Sequence, residues 1–144
     1  MKAFAYSLEK ILKLRKHYED EAKIELGRAV SLLSEIEQKI FTVVGETASA
    51  QEAQFAPGNT APQMQQYMFY LIRLHNTKEE LLKEAAKAEL VVEKAREAFL
   101  EASRERKVLD KLKEKRLKEH RKMALAEETN AMDDIYASRA KPLA

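Results

Sequence analysis

The chain of 144 residues has no cysteine, no tryptophan, three glycines and three prolines. Without cysteine there is no disulfide framework, no thiolate metal site and no thiol nucleophile, a composition suited to a reducing compartment such as the cytosol. Three dispersed glycines leave no phosphate-cradling loop, so nucleotide binding by that route is excluded. Aromatic residues amount to 7% of the chain, too few for a thick globular core. No window approaches twenty uncharged apolar residues, so no membrane-spanning helix is expected. No apolar stretch precedes Glu9 and Lys10, which argues against a secretory leader. Nor is there an excess of one charge, since the formal net charge is +2. What remains is 35% charged residues and an apolar pattern of helical period, the profile of a coiled coil.

That pattern is clearest from Met64 to Leu109. Stepping by three and four gives Met64, Leu71, Lys78, Ala85, Val92, Phe99 and Arg106 at one heptad position. Tyr67, Leu74, Leu81, Ala88, Ala95, Ala102 and Leu109 occupy the other. Only Lys78 and Arg106 break the series, and no glycine or proline interrupts it. A 3.5-residue repeat held this long makes one narrow seam that must be buried on a partner helix.

The partner is expected in the same chain. Residues 4 to about 53 read as a first helix, with Phe4, Leu8, Ile11, Tyr18 and Ala22 on its seam and Arg15 between them. Ala29, Leu33, Ile36, Ile40 and Val43 continue it after a step of four to Leu26, a local stutter that falls beside Gly27. A bend or close helix approach is expected there. Residues 54–61, with Pro57-Gly58-Asn59, read as the turn. Thr60 and Gln63 then fit a capping box around Pro62, which starts a second helix of about 62–139. Two long helices and a short connection make an antiparallel hairpin, one all-α coiled-coil domain over residues 1–144 with a longer C-terminal helix. Phe4 should then lie opposite roughly residue 110, leaving 111–139 as an overhang of about 40 Å. Pro142 ends any helix beyond it.

The overhang is chemically distinctive. Arg104 to Lys122 holds ten Lys/Arg against four acids, and beyond it come Glu127, Glu128, Asp133 and Asp134. One reading is a solvated helix face; another is a docking surface for an acidic protein patch. A nucleic-acid role is disfavoured, because in basic-zipper proteins the basic region precedes the heptads and here it follows them. Aromatic side chains for base stacking are also absent from the run. Leu112 and Leu117 do not make the apolar face that a membrane-surface helix requires. His17, His75 and His120 are scattered, and His17 with Glu21 or His75 with Glu79 is at most half a metal site. No catalytic constellation, cofactor or metal is expected, and the chain reads as a non-enzyme.

Residues at both ends carry a family resemblance. Phe4-x-Tyr6-x-Leu8-Glu9-Lys10-x-Leu12-x-Leu14-Arg15, followed by Glu19, Glu21, Ala22 and Lys23, resembles the opening of the flagellar export protein FliJ. Arg104-Glu105-Arg106-Lys107-x-Leu109-x-x-Leu112-x-Glu114-Lys115, then Glu127 and Met132-Asp133-Asp134 with Arg139, is similar to that family's tail, with Asp133-Asp134 in place of Asp-Glu. The resemblance implies a long antiparallel coiled coil similar to the central stalk of rotary ATPases. It implies partners too: the hexameric export ATPase FliI, the cytoplasmic part of the export gate protein FlhA, and export chaperones. It also implies work at the cytoplasmic face of the inner membrane, at the flagellar basal body.

The charged end supplies the candidate ring contacts: Arg15, Lys16, Arg104, Lys107, Lys111, Lys115, Arg116, Lys118, Arg121 and Lys122. Phe69, Tyr70 and His75, off or beside the seam, are the candidate gate contacts. The free chain is expected to be monomeric. Two alternatives stand beside this one: the equivalent stalk of a virulence type III secretion system, and a generic scaffold that dimerises through its seam.

Overall fold

The computed structural model describes residues 2–140, so Pro142 lies outside the described residues. Among them are two helices and no strand: α1, Glu9–Gln54, and α2, Ala61–Ala140, of 46 and 80 residues. The fold is all-α, an antiparallel hairpin with the longer helix second. Contacts divide the chain into two compact units, Glu21–Leu100 and Met1–Asp20 with Glu101–Ala144.

In the unit Glu21–Leu100 the seam is built mostly from small and β-branched residues. Ile36 packs with Ala85 and Ala88, joined by Leu33 and Ile40. Val43 and Ala50 pack with Leu74, joined by Tyr67, Leu71 and Leu81. Moving toward the N-terminus in α1 moves toward the C-terminus in α2, which is antiparallel pairing. Buried residues of α1 recur every seven positions at Ala29, Ile36, Val43 and Ala50. The seam therefore runs past Val43, through the polar stretch after Gly45. Thr47 helps it continue by turning its hydroxyl back onto the Val43 carbonyl at 2.8 Å, which spends the side chain's polarity inside the helix.

The turn ends α1 with a side chain instead of more helix. Asn59 Nδ2 donates to the carbonyls of Ala53 at 2.5 Å and Gln54 at 3.1 Å, two acceptors that the helix itself leaves unpaired. Gly58 takes φ +90°, a conformation that a side chain would resist. At the start of α2, Gln63 Oε1 accepts from the Thr60 amide at 2.9 Å, one half of a capping box.

Gly27 does not mark a close approach. A Cβ built there would meet nothing within 4 Å, and α1 runs through it without interruption. Its cost to the helix is therefore unrecovered. Gly27→Ala is expected to raise stability by about 0.5–1 kcal/mol, read as the midpoint of thermal unfolding by circular dichroism.

In the other unit the register differs from the apolar pattern. Leu12 is fully buried and Tyr6 is 8% exposed, whereas Ile11 and Tyr18, expected on the seam, are 43% and 45% exposed. The inward positions are Leu8, Leu12, Arg15 and Glu19, spaced four, three and four. This spacing reaches Ala22 by a step of three, so the stutter is not needed. Glu19 hides the register from an apolar reading because it faces inward as an ion.

Helix α1 begins at Glu9, five residues later than the pattern suggests. Residues 2–8 instead form a non-helical strap along α2. Tyr6 donates its hydroxyl to the Leu109 carbonyl at 3.2 Å. Phe4 meets the His120 ring edge-on at 5.5 Å, and His120 Nε2 lies 3.0 Å from the Lys2 carbonyl. The strap thus accompanies α2 as far as His120, and the uncovered part of the helix begins about ten residues later than expected. From Leu125 to Ala140 every residue is exposed.

Candidate functional site

The basic end of α2 sorts its cations into two sets. One set faces α1 and the strap and is used internally. Lys113 Nζ pairs with Glu9 at 2.8 Å, and in the reverse sense Arg15 Nη1 of α1 pairs with Glu105 of α2 at 2.5 Å. Arg116 donates to the Ser7 hydroxyl at 2.9 Å, and its guanidinium sits 5.7 Å from the centre of the Tyr6 ring, a cation–π contact.

Arg106, the odd member of the heptad series, is the centre of a cluster. Its Nε pairs with Glu19 at 2.7 Å, and its Nη1 pairs with Asp110 one turn on. The side chains of Arg106 and Glu19 are only 23% and 19% exposed, and Ser103 beside them is buried. The hydrogen bond from Arg106 holds the Glu19 carboxyl below its ordinary value, and in return Glu19 raises the already high Arg106. Lys113 lowers Glu9 in the same way.

The direction of these shifts fixes a pH dependence. A carboxylate held below its ordinary 4.5 stabilises the folded state above that value, and the contribution disappears as pH falls through the folded-state pKa. Thermal midpoints are therefore expected to be flat near neutral pH and to fall below about pH 4.5. The Glu19→Gln variant should show a shallower fall when both are followed by circular dichroism.

The second set faces away from α1. Arg104, Lys107, Lys111, Lys115, Lys118 and Lys122 are separated by three, four, four, three and four residues, and all six are exposed. At about 100° of rotation per residue this spacing keeps them within one stripe opposite Leu109, about 27 Å long. Arg104 has a weak contact to Glu101 at 3.5 Å. Among the described residues Lys111, Lys115, Lys118 and Lys122 enter no ion pair. Glu114 lies at the edge of the stripe and softens it slightly. The structure thus places Arg15 and Arg116 in internal contacts, brings six of the other candidates together, and leaves Lys16 and Arg121 exposed outside the stripe. The regular spacing is visible in the sequence; a count of net charge does not reveal it.

The three gate candidates, in the other unit, do not share a face. Tyr70 leans toward α1, where it borders an open groove with Tyr67, Gly45, Glu46, Ser49 and Ala53, and Arg73 lies 5.9 Å from the centre of its ring. Phe69 is 54% exposed and groups with Met68 and Ile72 on the outward side, apolar neighbours that lie outside the heptad series. His75 is exposed about 120° around the helix from Phe69.

Among the described residues no group of three His, Asp or Glu side chains could hold a metal ion. No helix among the described residues is long and apolar enough to cross a membrane.

These features define a class: a charged two-helix coiled coil with a basic stripe in the C-terminal half of its longer helix. The sequence model for the family described as "Flagellar FliJ protein" matches residues 4–141, and the chain belongs to that family. Its role is in flagellar protein export, as a structural component associated with the flagellar apparatus. No curated protein and no solved structure matches the chain.

Proposed function

We propose that the chain is a stalk of the export apparatus that binds the hexameric export ATPase FliI through the basic end of α2, promoting ring assembly and ATP hydrolysis. The observation that carries this reading is the stripe from Arg104 to Lys122: six cations aligned on one face, of which Lys111, Lys115, Lys118 and Lys122 enter no ion pair among the described residues, in a coiled coil whose other charges are paired or mixed in sign. A protein that only needed solubility would gain nothing from aligning them. An acidic surface would be recognised by such a stripe, with rapid, salt-sensitive association.

The unit Glu21–Leu100 supplies the second contact in this reading. Phe69, with Met68 and Ile72, meets the cytoplasmic part of the gate protein FlhA, with Tyr70 and His75 at its margins. Export chaperones are further partners, and the place of work is the cytoplasmic face of the inner membrane at the flagellar basal body.

Steady-state ATP hydrolysis by the purified export ATPase, with and without the full chain, tests the reading. Stimulation that saturates with added chain and weakens as salt is raised is expected. A rate indifferent to the chain at every concentration would contradict it.

A further inference from the structure

The outward face of α2 changes chemistry without changing register. After Lys122 the same alternation of three and four continues through Leu125, Thr129, Met132 and Tyr136. Leu125, Met132 and Tyr136 are 63%, 56% and 69% exposed, and they extend the line of Lys111, Lys115, Lys118 and Lys122 along the helix. The acids of this region mostly avoid that line. Glu127 and Asp134 point to the far side, while Glu128 and Asp133 flank it. One face therefore runs from basic to apolar over about 50 Å.

We propose that this is a single docking face, in which the apolar stretch anchors the same partner that the basic stripe attracts. The inference rests on reading the stripe as the contact to the export ATPase. It adds the chemistry of the complementary surface: an acidic area that gives way to an apolar one, laid out along one helix. Two independent surfaces would have no reason to share a register across the change at Lys122. The split also divides the work of binding. Exposed lysines speed encounter and orient the partners, but screened rim charges hold a complex poorly. Leucine, methionine and tyrosine side chains that become fully desolvated are what slow dissociation. Tyr136 and Met132 suit that role: one brings a large flat ring with a polar tip, the other a flexible side chain that fits irregular surfaces.

The test uses the full chain and measures binding kinetics on immobilised hexameric export ATPase. The variant Leu125→Ala/Met132→Ala/Tyr136→Ala keeps helix propensity high and removes only exposed side chains. It is expected to dissociate at least about tenfold faster than the unmodified chain, with the association rate and its salt dependence retained. The conservative variant Leu125→Met/Met132→Leu/Tyr136→Phe is expected to restore slow dissociation. Equal dissociation rates for the alanine variant and the unmodified chain would overturn the anchor assignment and leave the stripe's role standing. Failure of the unmodified chain to bind the ATPase at all would overturn both.

Discussion

Replacing Lys111, Lys115, Lys118 and Lys122 with glutamate is expected to abolish stimulation of the export ATPase. Each replacement removes one attraction to an acidic surface and introduces one repulsion, and like charges brought together at an interface cost several kcal/mol. Four such changes should weaken binding at least about a hundredfold. The fold should survive. These lysines face away from α1 and the strap, and among the described residues none forms an ion pair. Circular dichroism should therefore show helicity close to that of the unmodified chain. Stimulation that persists in the fourfold variant would remove the stripe from the account. The same reversal at Lys10, Lys13, Lys23 and Lys39, which are exposed on α1, changes net charge equally, should have little effect, and serves as the control for net charge.

The second large effect concerns Arg106. Arg106→Ala leaves Glu19 shielded from solvent without its partner, and the expected loss is about 2 kcal/mol or more, because an uncompensated charge is the costly outcome. Replacing both, as Glu19→Leu/Arg106→Leu, should return stability to within about 1 kcal/mol of the unmodified chain or exceed it, because the desolvation cost disappears with the pair. The double variant also restores an unbroken apolar series through the position where the heptads are interrupted. Its expected defect lies in specificity: a polar group at a seam position fixes register and partner number. Sedimentation of the double variant should therefore reveal some self-association. Additive losses from the two single substitutions in a double-mutant cycle would show that Glu19 and Arg106 act independently and contradict the cluster.

The structure and the residue pattern agree best where the seam is made of hydrocarbon. From Tyr67 to Val92 the residues expected to be inward are buried or half-buried, because a repeat of tyrosine, leucine, alanine and valine interrupted only at Lys78 admits one register. The register near the N-terminus was less legible. Ile11 and Leu12 are both apolar, and only the inward ion at Glu19, paired with Arg106 far along the chain, decides between them. The strap was hidden for a related reason. Phe4 and Leu8 fit a helical period, and the evidence that the helix starts later lies in contacts to Leu109, Arg116 and His120 that no local pattern reports. Asn59 was readable as a turn residue, but its service to two carbonyls of α1 was not.

The candidate contacts were legible in composition and less so in arrangement. A basic run is obvious from Arg104 onward, yet it mixes residues committed to the hairpin with residues free to meet a partner. Arg116 belongs to the first group through Ser7 and Tyr6, and Lys118 belongs to the second. Tyr70 and Phe69 are adjacent in sequence and divided in the same way, one bordering the groove beside α1 and the other facing outward. Adjacent helical residues lie about 100° apart, so closeness in sequence is a poor guide to a shared surface.

The central claim is that the ATPase meets the basic end of α2 and not the turn end of the hairpin. The absence of cysteine makes a direct measurement simple, since one introduced thiol is unique in the chain. Lys118→Cys and Gln65→Cys, both at exposed positions, can each carry a photoactivatable crosslinker into a mixture with the hexameric export ATPase and nucleotide. A covalent adduct with the ATPase from position 118, and none from position 65, is the predicted result. Adducts formed from position 65 and not from position 118 would contradict the account.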